Sequence, residues 1–352
     1  MQLGIIGMSM SGKSTVFDLL SENSASNKSG SKAAIAMMKV PDERIDYLSS
    51  VYKPKKTIYT QLELVDIPGL TPGGDSKGAR VFLDQVRKAD ALLQVVRVFE
   101  DSVLGMEIKP MAEIESIAYE LLLADLELIE KRIERINASK KKAGFQVELS
   151  LLERLKDALE NETPLSQIEL TDEERELLQS YEFLTTKPVV ICLNLSEDAI
   201  SSGDYPDKEA IAEYCKQKNL PCVELSAMIE KEISELSPEE REEFLKDLGI
   251  TESGLVKVAR GLYSSLGLIS FFTVGEDEVR AWTIHEGDNA RKAAGKIHTD
   301  IEKGFIRAEV VAYRDFVEQG SMAAVKEKGL FRLEGKEYIV QDGDISHFRF
   351  NI

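Results

Sequence analysis

Short apolar runs alternate with stretches of helical periodicity through the first three-quarters of the chain, and this alternation predicts an α/β fold. Leu3-Gly4-Ile5-Ile6 suits a buried strand, and Ser14 to Leu20 opens a helix pattern directly after it. Leu62-Glu63-Leu64-Val65 alternates into Asp66-Ile67-Pro68-Gly69 as a second strand. Ala91 to Val98 and Val189 to Leu193 are near-continuous apolar runs, the mark of parallel strands covered on both faces by helices. Between them, Ile114, Ile117, Leu121, Leu128, Ile129, Ile133 and Ile136 recur at helical spacing, and Lys140 to Gly144 stops the run. A second stripe, Leu151, Leu152, Leu155 and Leu159, completes an antiparallel helical hairpin. This hairpin reads equally as a packed insertion and as a partner-binding arm.

Capping boxes at Thr171 to Glu174 and Ser237 to Glu240 open two further helices. From about Leu268 the pattern changes to short strands: 268–273, 279–284, 308–311 and 338–340. The expected division is therefore residues 1–110 with 185–267 as one α/β domain, 111–184 as a helical insertion, and 268–352 as a small strand-rich module.

Charge changes the picture of partners. The 352 residues carry 44 Lys and Arg against 62 Asp and Glu, a formal net charge of −18, which opposes nonspecific attraction to nucleic acid or anionic membrane. No DNA partner is expected. The module from 268 holds 12 basic and 15 acidic residues, net −3, so Lys296, His298, Lys303 and Arg307 read either as a local phosphate-facing patch or as scattered surface charge. Three cysteines without C-x-x-C spacing argue against a disulfide framework or zinc site, and Cys192 falls in an apolar strand as a core residue. The three histidines are scattered without metal-ligand spacing. No apolar run approaches membrane-spanning length and no basic leader precedes the first strand, so the expected location is cytoplasmic, with no membrane partner.

The chemistry concentrates in Gly7-Met8-Ser9-Met10-Ser11-Gly12-Lys13-Ser14-Thr15, which fits G-x-x-x-x-G-K-[ST] at a strand-to-helix turn. At this spacing backbone N–H groups curl around phosphates, Lys13 supplies positive charge and Ser14 offers a hydroxyl to Mg²⁺. Asp66 to Gly69 matches D-x-x-G at the end of an apolar strand: Asp66 faces the Mg²⁺ shell through water, and the Gly69 N–H meets a γ-phosphate. Leu70 follows where Ras-like proteins carry a water-positioning glutamine, so hydrolysis should be slow, substrate-assisted or helped by another group. The polar stretch 21–32 offers no core face and is where a first switch would lie; 73–78 reads as a second switch or a surface loop.

Asn194-Leu195-Ser196-Glu197 occupies the place of the base-reading N-K-x-D of GTPases. There an Asp carboxylate accepts two hydrogen bonds from guanine. Glu197 is one methylene longer and Leu195 replaces the lysine, which shifts the expected preference from GTP toward ATP. Ser226 and Ala227 suit the other loop over the base.

These residues carry a resemblance to the YchF family of the Obg-related P-loop NTPases, over essentially the whole chain. Its specific parts are Gly12 to Thr15, Asp66 to Leu70, Asn194 to Glu197, Val279-Arg280-Ala281-Trp282-Thr283-Ile284, Ala294 to Asp300, Gly304 to Ala308 and Asp342-Gly343-Asp344. The resemblance implies a Ras-like G domain with a coiled-coil insertion and a C-terminal TGS β-grasp domain. It also implies slow Mg²⁺-dependent hydrolysis of ATP, in preference to or alongside GTP, and association with ribosomes or ribosomal RNA. Carried over by position, Met10, Ser11, Gly12, Lys13, Ser14, Thr15 and Gly69 bind phosphates with Lys13 as the catalytic group. Ser14 and Asp66 serve the metal, and Asn194, Leu195, Glu197, Ser226 and Ala227 serve the base. The family usually has Asn-Val where this chain has Met10-Ser11, and its first switch has a Mg²⁺-completing Thr, whereas residues 27–36 contain none. A different class of reading is a nucleotide-stabilised ribosome- or RNA-binding module with little turnover.

Overall fold

The structure is a computed structural model and describes residues 1–21, 34–71, 76–100, 105, 107–139, 142–250 and 252–351. Most of the stretch expected to hold the first switch, residues 73–75 of the expected second switch, and Lys140-Lys141 lie outside the described residues. By packing, the chain divides into two units: residues 1–37 with 63–258, and 38–62 with 259–352.

The sheet of the first unit contains β1 (Gln2–Gly7), β2 (Ala34–Lys39), β4 (Gln61–Asp66), β5 (Ala91–Val98), β6 (Val189–Leu195) and β7 (Cys222–Leu225), in the spatial order β2-β4-β1-β5-β6-β7. Pairing is parallel across β4-β1-β5-β6-β7. Every residue of β5 is buried, as expected for a central strand covered on both faces. One side packs Ile6, Val65, Ile67 and Leu92 with Phe82 and Val86 of the helix Ser76–Lys88; the other packs Val96, Ile191 and Leu193 with Ile211 and Cys215 of the helix Lys208–Lys218. The 73–78 segment thus becomes helical from Ser76.

The helical hairpin consists of Pro110–Ala138 and Gln146–Glu160, and the first helix ends just past Ile136, the last position of its apolar stripe. Ion pairs Glu130–Lys156 (2.8 Å) and Arg132–Glu148 (2.8 Å) set the two helices antiparallel. Leu122, Ile129 and Ile136 interlock with Leu151, Leu152, Leu155 and Leu159. Both predicted capping boxes are formed, at Thr171/Glu174 and Ser237/Glu240. Among the described residues no helix is long and apolar enough to cross a membrane.

The second unit holds β3 (Lys56–Ile58), β8 (Leu268–Val274), β9 (Glu278–His285), β10 (Phe305–Ala312), β11 (Arg332–Glu334) and β12 (Asp344–Phe350), in the order β11-β10-β12-β8-β9-β3. The expected strand at 338–340 is not formed. Its residues make only a single bridge, Ile339 to Asn289, and the last strand is β12, in which Ile345 and Phe348 point into opposite cores. Residues 38–62, counted with the N-terminal domain on sequence, belong here. β3 pairs with β9, and Ile45 and Leu48 of the helix Glu43–Tyr52 are fully buried against Phe272, Val279 and Phe316. Burial of that helix face outweighs sequence proximity.

Candidate functional site: a phosphate loop held by two strand ends

β1 ends at Gly7, the helix Lys13–Leu20 begins six residues later, and the loop between them crosses the C-terminal edge of the parallel sheet. The first N–H groups of a helix have no intrahelical partner, so its N-terminus is a ready anion site. Gly12, the residue before the helix, sits at φ 86°. A Cβ there would lie 2.3 Å from Asn194 Nδ2, so both conformation and space demand glycine. Met10 also has a positive φ of 66°, and its side chain is 60% exposed. Ser11 is fully buried; its carbonyl accepts from Asn194, and its hydroxyl has no partner among the described residues. Of the two residues that differ from the family's usual Asn-Val, Met10 thus faces solvent and Ser11 is enclosed.

Lys13 and Ser14 converge on Asp66 at the end of β4. The Lys13 ammonium lies 3.4 Å from one carboxylate oxygen, and the Ser14 hydroxyl donates to the other at 2.8 Å. Beyond Asp66 the chain is drawn onto the phosphate loop. Leu70 N donates to Gly7 O at 3.1 Å and Ser9 N donates to Leu70 O at 3.0 Å, one residue of parallel pairing outside the sheet. Gly69 lies so close that a Cβ would meet Ser9 N at 3.0 Å and Lys13 Cε at 3.2 Å. Leu70 turns its side chain into the core beside Met8 and Ile67, and Thr71 turns outward, where its hydroxyl meets that of Ser9 at 2.9 Å.

On the far side, Asn194 at the end of β6 ties two loops together. Its amide nitrogen donates to Ser11 O at 3.1 Å and its oxygen accepts from Ala227 N at 3.0 Å. Ser226 is buried and caps the helix Ala227–Glu235, while Glu197 is exposed in the first turn of the helix Glu197–Ser202. Leu195 departs from expectation. Its side chain is 2% exposed and packs with Val96, Leu193 and Ile211, so it offers no surface to a base. The strand alternation that brings Asn194 to the loop turns its neighbour into the opposite core.

The donor set fits a small hard cation. Ser14 and Asp66 provide two oxygens next to a phosphate loop, the kind of partial shell that Mg²⁺ completes with phosphate and water.

Two family profiles match the chain: that of the YchF C-terminal region, described as "Protein of unknown function (DUF933)", over residues 268–351, and that described as "50S ribosome-binding GTPase", over residues 2–133. Relatives named "Ribosome-binding ATPase YchF" from Bacillus subtilis and Haemophilus influenzae are each 42% identical, with 99% of either chain covered. The chain belongs to the YchF family. A solved structure, the YchF GTPase of Schizosaccharomyces pombe, is 32% identical and superposes with a TM-score of 0.87, covering 99% of this chain and 97% of that one. This YchF-family protein is thus a P-loop nucleotide hydrolase with a Ras-like G domain, a helical insertion and a TGS-like C-terminal unit.

The motifs marked Lys13, Ser14, Asp66, Gly69 and Asn194, and the fold brings them to one edge of one sheet. Ser9 and Thr71 carry no sequence signal of their own, because one fills an unspecified position of G-x-x-x-x-G-K-[ST] and the other lies beyond D-x-x-G.

Proposed function

We propose that this protein is a ribosome-binding ATPase of the cytoplasm that hydrolyses ATP in preference to GTP with Mg²⁺. The observation that carries the reading is the meeting of Lys13, Ser14 and Asp66 at the mouth of a glycine-bounded loop. In this reading the N–H groups from Met10 to Thr15 cradle the phosphates, Lys13 stabilises charge on the β- and γ-phosphates, and the Gly69 N–H meets the γ end. Ser14 and Asp66 would hold Mg²⁺, which when bound would supply positive charge to offset that developing on the β- and γ-phosphates. Asn194 fixes the loop, and Glu197 with the backbone at Ser226 and Ala227 borders the base. The ribosome as partner follows the names its relatives carry. With a net charge of −18, the contact must be a local patch on the C-terminal unit, such as Lys296, Lys303 and Arg307.

Phosphate release from ATP, measured with and without Mg²⁺ and compared with Lys13→Ala, tests the enzymatic half. Release should require the metal and fall to background in the variant; equal rates would overturn it. Competition between ATP and GTP tests the base, with tighter GTP binding as the contrary result. Sedimentation with ribosomes tests the partner. Ribosome binding that persists without any turnover would favour the nucleotide-stabilised module instead.

A further inference from the structure

We propose that the paired hydroxyls of Ser9 and Thr71 position the attacking water, in the place that a glutamine side chain fills in Ras-like enzymes. The inference rests on the phosphate-binding reading above, in which the γ-phosphate lies between Lys13 and the Gly69 N–H.

Three observations converge on it. First, Leu70 has no part in the chemistry: its side chain is 9% exposed, packed among Met8, Ile67 and Phe82, and its N–H and carbonyl are both spent on Gly7 and Ser9. Second, those same backbone bonds fix the next residue. With Leu70 turned inward, Thr71 turns outward, and its Oγ1 stands 2.9 Å from Ser9 Oγ with both residues exposed. Third, the pair stands at the γ end. Gly69 Cα is wedged between Ser9 N and the end of the Lys13 side chain, so Ser9 borders the space that Lys13 and Gly69 define.

A carboxamide orients water with one acceptor and one donor. Two hydroxyls in contact supply the same complement: one donates to the other, leaving one free O–H and several lone pairs facing outward. The water donates to a hydroxyl oxygen, and the free O–H donates to a γ-phosphate oxygen. As the water oxygen forms its bond to the γ-phosphorus, the bond to the β,γ-bridging oxygen breaks and its electron pair leaves with the nucleoside diphosphate. The water's proton passes to a γ-phosphate oxygen, so neither hydroxyl changes protonation and both act only as positioning residues.

The test is steady-state ATP hydrolysis by the full chain with Mg²⁺. Thr71→Val keeps the shape without the hydroxyl and should lower kcat by roughly 10- to 100-fold with KM within about twofold, since misplacing the nucleophile costs rate rather than ground-state binding. Ser9→Ala should do the same, and the double variant should be no slower than Thr71→Val, because the two hydroxyls act as one unit. Thr71→Ser should restore kcat to within a few-fold of the parent. A Thr71→Val enzyme as fast as the parent, or faster, would overturn the proposal, as would a Thr71→Ser enzyme no better than Thr71→Val. Lys13→Ala separates the two levels. A parent no faster than Lys13→Ala removes the hydrolase reading itself, whereas a parent well above it with an unaffected Thr71→Val removes only the hydroxyl pair.

Discussion

Asn194 ties together the two loops that border the candidate nucleotide site. Buried at the end of β6, it holds the carbonyl of Ser11 with its amide nitrogen and the N–H of Ala227 with its oxygen. It thereby fixes the phosphate loop and the loop after β7 before any nucleotide arrives, and such preorganisation improves affinity by lowering the ordering cost of binding. Asn194→Ala removes both bonds and leaves a buried N–H without its partner, a loss of roughly 1–3 kcal/mol. Nucleotide affinity measured by calorimetry should fall on the order of 10- to 100-fold; an unchanged affinity would mean that the loop holds its shape without this strut. Gly12 belongs to the same arrangement, since only a residue without Cβ leaves room for the Asn194 amide. The motif located Asn194, but Leu195 next to it was misassigned, because a four-residue signature does not say which side chains face the pocket.

At the scale of elements, the helical insertion is tied back to the sheet by one buried carboxylate. Asp125, in the helix Pro110–Ala138, accepts from Leu184 N (2.9 Å), Thr185 N (2.8 Å) and the Thr185 hydroxyl (2.8 Å), just before the chain enters β6. Asp125→Ala leaves two backbone donors unpaired and should destabilise the first unit by about 3 kcal/mol in chemical denaturation. Burial pushes the Asp125 carboxyl above the ordinary aspartate range, outweighing the hydrogen bonds that pull it down. Folding therefore favours the protonated form, and this contribution is complete below about pH 4 and lost as pH rises through the raised value. The stability of the parent relative to Asp125→Asn, which cannot titrate, should decline with pH from about 4 and then level. A difference that grows with pH over that range would contradict it. The hairpin helices themselves were legible from their 3.6-residue stripes, whereas this anchor was not, since an isolated Asp in a helix pattern looks like a solvated charge.

Across the whole molecule, the division into two units does not follow the order of the chain. Residues 38–62 contribute β3 and the helix Glu43–Tyr52 to the unit otherwise built from 259–352. In native-state hydrogen exchange, the amides of residues 43–52 should therefore open together with β8 and β9, as one cooperative unit. Their opening with β1 and β5 instead would refute the assignment.

Local pattern was enough for the phosphate loop, the D-x-x-G turn, the parallel strands, the hairpin and both capping boxes, because each depends on the spacing of neighbouring residues. The family resemblance reached the same architecture from motifs spread along the chain. Three things needed the tertiary structure. Strand alternation decided that Asn194 faces the loop and Leu195 the core. Burial of Ile45 and Leu48 decided which unit their helix joins. Backbone pairing of Leu70 with the loop brought Thr71 to Ser9, 62 positions away. All three are contacts between residues distant in sequence, and such contacts are settled by which surfaces can be buried together rather than by any local preference.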